Sequence, residues 1–144
     1  MHVRGLLDSK GTRVVTAAPG ATVADLAELL ATHRIGAVVI SSSDTTIDGI
    51  VSERDIVRAL AARGASAMEE TAAAIMTREV FTCDPDTTAD QLAVLMTERR
   101  IRHVPVVAEG RLAGIISIGD VVKDRMRELE TETQVLHEYI ANGR

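Results

Sequence analysis

GIVSERDIV occupies Gly49 to Val57, and GIISIGDVV occupies Gly114 to Val122. Both follow the pattern Gly-Ile-apolar-Ser-x-x-Asp-apolar-Val, at an offset of 65 residues within a 144-residue chain. The similarity extends upstream. PGATVADLAELLATHRIGAVVI (19–40) aligns with PDTTADQLAVLMTERRIRHVPV (85–106) at an offset of 66, with 8 of 22 positions identical. Residues 49–58 and 114–123 agree at 5 of 10. The chain is an internal duplication in which the loop between the blocks is one residue shorter in the second copy.

Each copy has the same grammar. A short strand (14–16; 80–82) leads to a proline, and then Thr22 or Thr88 stands where a helix N-cap belongs, its hydroxyl able to accept an unpaired N–H. The next helix carries an apolar stripe: Val23, Leu26, Leu29 and Leu30 in the first copy, Ala89, Leu92, Leu95 and Met96 in the second. Two β-branched runs follow in each copy, 37–40 with 47–52 and 103–107 with 112–117, turning at 41–44 and 109–110. Pro105 inside a strand pattern predicts an edge or a bulge. A second helix spans 53–63, and its counterpart begins near Gly119 and runs much further. The predicted fold is α+β: two β-α-β-β-α repeats related by a pseudo-two-fold axis, packed sheet to sheet around one shared core, with an extended C-terminal helix. The boundaries drawn are 1–66, 67–128 and a helical extension 129–144, with 64–74 as connector. A unit of this size alone buries too little surface to be stable.

Composition narrows the function. Hydrophobic residues make up 46% of the chain, yet Phe81 and Tyr139 are its aromatics, so the core is aliphatic. A net charge of −5 and the lack of stacking platforms argue against nucleic acid as a partner. Cys83 is the single cysteine, which excludes an intramolecular disulfide and a thiolate metal cluster; it reads as a small packing residue, and His33 and His137 as solvated. The apolar runs are too short for a bilayer, and residues 1–13 contain no apolar stretch resembling a signal peptide. The expectation is a cytoplasmic protein with no membrane partner.

The repeated Ser-x-x-Asp has two readings. It is a capping box, Ser capping the backbone three residues on and the acid reaching back. It is also a carboxylate at a helix N-terminus, suited to accept the vicinal hydroxyls of a ribose at about 1.5–3 kcal/mol per charge-assisted bond. The two are compatible. No nucleophile–base pair, metal-ligand spacing, P-loop or dinucleotide fingerprint accompanies it, so the chain is expected to hold a ligand rather than transform one, with no catalytic residue, metal or catalytic cofactor.

RIGAVVI with GIVSERDIV, and RIRHVPVV with GIISIGDVV, resemble a tandem pair of cystathionine β-synthase (CBS) domains, a Bateman module; the resemblance covers roughly residues 1–128. LHEYIANGR at the end is similar to stand-alone CBS-pair proteins. The resemblance implies a regulatory module that binds adenosyl compounds (AMP foremost, then ADP, ATP, NAD or S-adenosylmethionine) in two clefts between repeats, forms a disc-like homodimer and acts on an unidentified regulated protein. In the main cleft Ser117 and Asp120 would face the ribose, Arg102 and His103 the phosphate, and Ile35, Gly36 and Ala37 the adenine, with Thr16 nearby. In the second, Ser52 and Asp55 would meet the ribose, Ile101 and Pro105 the base, and Arg54 would supply the charge missing at Gly36 and Ala37. The Asp120 cleft therefore ranks first. The alternative is a structural homodimerisation module with vestigial clefts. The tail stripe Val122, Met126, Leu129, Leu136 and Ile140, interrupted by Thr133, fits a helix packed on its own domain, a seam against a second chain, or disorder.

Overall fold

The computed structural model describes residues 1–142; Gly143 and Arg144, the end of the expected extension, lie outside the described residues. The elements in chain order are α1 (Val3–Lys10), β1 (Thr16–Ala17), α2 (Val23–His33), β2 (Ala37–Ile40), β3 (Gly49–Ser52), α3 (Glu53–Arg63), a 3₁₀ turn (Gly64–Glu69), α4 (Ala72–Ile75), α5 (Ala89–Arg99), β4 (His103–Ala108), β5 (Arg111–Ser117) and α6 (Ile118–Asn142). The repeats are legible in the caps. Thr22 and Thr88 each accept from the amide three residues on, and Asp25 and Gln91 return the bond. Both helices end on an arginine in the left-handed region, Arg34 at φ 53° and Arg100 at φ 55°, and there the chain reverses into the next strand.

β1 runs parallel to β2, and β2 antiparallel to β3. β4 and β5 form the second antiparallel ladder, closed at Glu109-Gly110, where both residues have positive φ as a two-residue hairpin demands. The predicted strand at 80–82 does not form; Cys83 alone makes a bridge, to Val106. Pro105 explains this. In the first half the Val39 amide donates to Val15 O and the Ser41 amide to Ala17 O. Shifted by 66 residues, the second bond survives as Val107 to Cys83 O, but Pro105 has no N–H with which to make the first. Residues 80–82 peel away, and β4 bulges between Val106 and Val107.

The interior is two cores, not the single one expected. One gathers Val23, Leu26, Leu30, Val38, Ile40, Val51, Ile56 and Ala72. The other gathers Leu92, Met96, Val104, Val106, Ile116 and Val121 with Val3, Leu6 and Leu7 of α1. Each sheet packs one face on its own helices. Ala37 and Val39 alternate with Val38 and Ile40; they are equally buried but belong to neither core, as a sheet covered on both faces requires.

The segment preceding each repeat docks on the other repeat. The Val3 amide donates to Thr87 O and the Ala89 amide to Met1 O; in the mirror position Ala72 donates to Ala21 O and Val23 to Glu70 O. The connector 64–74 is thus an ordered 3₁₀ turn and helix, and α1, which has no counterpart in the predicted elements, belongs by packing to the second core. The glycines opening the two signatures mark these crossings. A Cβ on Gly49 would meet Met76 Sδ at 2.6 Å and Thr77 O at 2.9 Å, and one on Gly114 would meet Leu7 Cδ2 at 2.5 Å.

Candidate functional site

Ser52 and Ser117 both build the capping box the sequence predicts. Asp55 Oδ2 accepts from the Ser52 amide (2.9 Å) and hydroxyl (3.1 Å), and Asp120 Oδ2 from those of Ser117 (2.8 and 3.0 Å). In each case the box consumes one carboxylate oxygen. The surroundings of the two carboxylates differ between the halves.

A cleft of about 500 Å³ opens in front of Asp55. Gly36, Ala37, Ile50, Ser52, Glu53, Arg54, Asp55 and Arg58 line it from the first half, and Arg99, Arg100, Ile101, Arg102 and His103 from the second. Thr77, Glu79, Val80 and Phe81 complete the wall. Asp55 Oδ1 takes only a long 3.4 Å bond from the Thr77 hydroxyl. Five guanidinium groups stand against three carboxylates here, and among the described residues none of the five lies within ion-pair distance of a carboxylate. Arg99 stacks over Phe81 at 4.9 Å from the ring centroid, and Arg54 Nη1 donates to Arg100 O (3.3 Å), tying the halves at the rim.

At Asp120 a charge partner sits on the box oxygen itself, and Oδ1 has no hydrogen bond among the described residues. Lys10, from the exchanged helix α1, places Nζ 2.6 Å from Asp120 Oδ2 and 2.8 Å from Ile115 O. Burial raises the Asp120 pKa, but the Lys10 ammonium and the Ser117 amide outweigh it and hold the carboxyl below its ordinary range. Lys10 thus supplies a charge partner at the carboxylate that the sequence ranked first for ribose.

The structure therefore brings Gly36, Ala37, Ser52, Arg54, Asp55, Ile101, Arg102 and His103 into one cleft. Four of these, Gly36, Ala37, Arg102 and His103, were expected to serve Asp120. An open cleft lies in front of Asp55, and a lysine is paired with Asp120. Ile35 and Gly36 border a shallower hollow beside α2 and α3. Thr16 lies outside the cleft, its hydroxyl donating to Asp44 (2.9 Å). Pro105 is fully buried and shapes the cleft only indirectly, by releasing 80–82 into its wall. Sequence reasoning missed Arg58, Thr77, Glu79, Phe81, Arg99 and Arg100. The run ERRIR at 98–102 was the available signal, and a left-handed cap at Arg100 is what presents it to one groove.

His103 is the titratable group at the junction. Its ring packs where a Gly36 Cβ would lie, 2.9 Å from Cε1. Burial is the largest influence on it; Glu53 and Asp120 pull its pKa up, Lys10 and Arg102 push it down, and the balance is below the ordinary imidazole value. Burial, with Asp84, pushes the Cys83 thiol up to about 11, so it packs as an unreactive thiol.

No helix among the described residues is long and apolar enough to cross a membrane. A family model for the CBS domain matches residues 10–62 and 72–127. The structure resembles that of the CBS-domain containing protein ATU1752 from Agrobacterium tumefaciens, with 48% identity, a TM-score of 0.84 and coverage of 86% of this chain and 92% of that one. It also resembles the CBS domain pair of protein MJ0100, solved in complex with 5′-methylthioadenosine and S-adenosyl-L-methionine, at 28% identity and a TM-score of 0.79, covering 89% and 98% of the two chains. CBSX3, a mitochondrial CBS domain-containing protein of Arabidopsis thaliana, is 36% identical over 126 residues; the match takes in 85% of this chain but 61% of that protein's length. The duplicated signature, the exchanged lead-in segments and these matches have one explanation: the chain belongs to the CBS-domain family, as a tandem pair of its repeats.

Proposed function

We propose that the chain is a regulatory module that binds a phosphorylated adenosyl ligand in the Asp55 cleft. One observation carries this reading: a carboxylate with an oxygen to spare, at a helix N-terminus, faces guanidinium groups without ion-pair partners across a cleft of ligand size. Asp55 would take the ribose hydroxyls, the backbone at Gly36–Ala37 and Ile101 would hold the base, and Arg100, Arg102 and His103 the phosphates. The adenosyl ligands of MJ0100 support the class. The cationic excess here favours AMP, ADP or ATP over the S-adenosylmethionine sulfonium. The ligand would be held, not cleaved. Because it touches both halves, it stabilises the inter-half geometry that fits it, by no more than its difference in affinity between the two states. Homodimerisation belongs to the same reading, supported by Val57 and Val94, which are more than half exposed on α3 and α5.

Mass spectrometry of protein purified without stripping, followed by a thermal-shift panel of AMP, ATP, NAD and S-adenosylmethionine, tests the proposal. Ligand at a hundredfold excess over Kd adds about 2.7 kcal/mol of apparent stability. A flat panel would instead favour the scaffold reading, for which the Lys10–Asp120 ion pair already speaks in the second half.

Two further outcomes are expected. Calorimetry should give one nucleotide per chain, and Lys10→Met, by freeing Asp120, should add a second, weaker site; unchanged stoichiometry would show that Lys10 is not what closes it. Bound phosphate should favour protonated His103, whose pKa in the free protein is depressed. Binding should therefore take up protons and tighten as pH falls through the imidazole range. Comparing buffers of different ionisation heat would reveal this uptake, and His103→Gln should abolish it, leaving only the titration of the phosphate itself.

A further inference from the structure

α6 runs past the body of the molecule. Asp124 is its last buried residue, and every residue from Arg125 to Asn142 is exposed, a projection of about 27 Å at 1.5 Å per residue. Such a helix is marginal in water without a partner. Of its exposed apolar residues, Val122, Met126, Leu129, Leu136 and Ile140 share one stripe, each about half exposed or more, and Val135 and Tyr139 lie off it. With Thr133 the stripe residues are spaced 4, 3, 4, 3 and 4, an unbroken heptad seam. Met126, Thr133 and Ile140 fall at a, and Val122, Leu129 and Leu136 at d. The Thr133 hydroxyl donates to Leu129 O (2.9 Å), so a polar a residue is already satisfied within its own helix. β-branched residues at a with leucine at d favour two strands.

We infer that α6 forms a parallel, in-register two-stranded coiled coil with α6 of a second copy of this chain. Charge fixes the direction. In a parallel pair g faces e of the following heptad, which sets Arg125 against Glu130 of the second copy and Glu132 against its His137. An antiparallel pair aligning the same stripe, with Val122 opposite Ile140, faces e with e and g with g, which sets Glu130 and Glu132 each against its own copy. Both parallel contacts are complementary, whereas the two antiparallel glutamate pairs are like-charged. The inference is independent of the nucleotide reading: the seam uses no residue of the cleft.

Mild oxidation of the full chain tests it. In a Cys83→Ser background, Leu136→Cys should give at least tenfold more disulfide-linked dimer than Thr131→Cys, which lies on the opposite face. Adding Glu132→Lys should suppress the cross-link, and adding His137→Glu to that variant should restore it. Equal cross-linking at 131 and 136, or preferential joining of Met126→Cys to Leu136→Cys in a mixture of the two variants, would overturn the inference.

Discussion

Replacing Asp55 with alanine is expected to weaken AMP or ATP binding by about 30- to 1000-fold, the equivalent of about 2–4 kcal/mol for two charge-assisted bonds. The carboxylate is divided between two tasks. Oδ2 closes the capping box through the Ser52 amide and hydroxyl, while Oδ1 meets only the distant Thr77 hydroxyl. Its loss therefore also weakens the start of α3, and the melting temperature of the unliganded variant must be followed beside its affinity. Asp120→Ala is the matched control: it removes the same kind of box and breaks the Lys10 ion pair, yet should change the affinity of the Asp55 cleft little. A second comparison isolates the sugar. The wild type should bind 2′-deoxy-AMP more weakly than AMP, and Asp55→Ala should erase the difference. Equal losses at Asp55 and Asp120 would remove the distinction between the clefts, and no loss at either would leave a folded scaffold.

Leu92→Ala should destabilise the protein by about 2–5 kcal/mol, the range for removing a leucine from a packed core. Leu92 is fully buried on α5 among Met96, Val104, Val106 and Ile116. Two separate cores, taken alone, predict melting in two steps. The exchanged segments argue for one. Unfolding the second core releases α1, whose chain continues into β1 of the first sheet, and the first core in turn holds Ala72 at the entry to the second repeat. Leu92→Ala and Leu26→Ala should each lower a single cooperative transition, with denaturation followed by circular dichroism and calorimetry agreeing on one midpoint. Two resolved transitions would show that the halves fold independently.

Much of this was legible from residue order. The capping threonines, the apolar stripes of α2 and α5, the hairpin at Glu109-Gly110 and the long last helix all follow from local chemistry, because caps, helical periodicity and turns are settled within a few neighbours. The same locality explains the failures. The missing strand at 80–82 depends on Pro105, more than twenty residues away, lacking an N–H. The exchange of lead-in segments is a pairing between Met1–Val3 and Thr87–Ala89 that no local pattern encodes. The asymmetry of the clefts rests on Lys10, which reads as an unremarkable basic residue at a helix end until α1 is carried across the molecule.

The sequence by itself determined that two copies of one α+β unit stand in tandem, that each places an aspartate in the first turn of a helix, and that the interior is aliphatic. Tertiary structure decided what stands around each aspartate. A motif fixes the backbone geometry around its own residues, but whether a carboxylate meets a lysine or unpaired arginines depends on what the other half of the chain brings within a few ångströms.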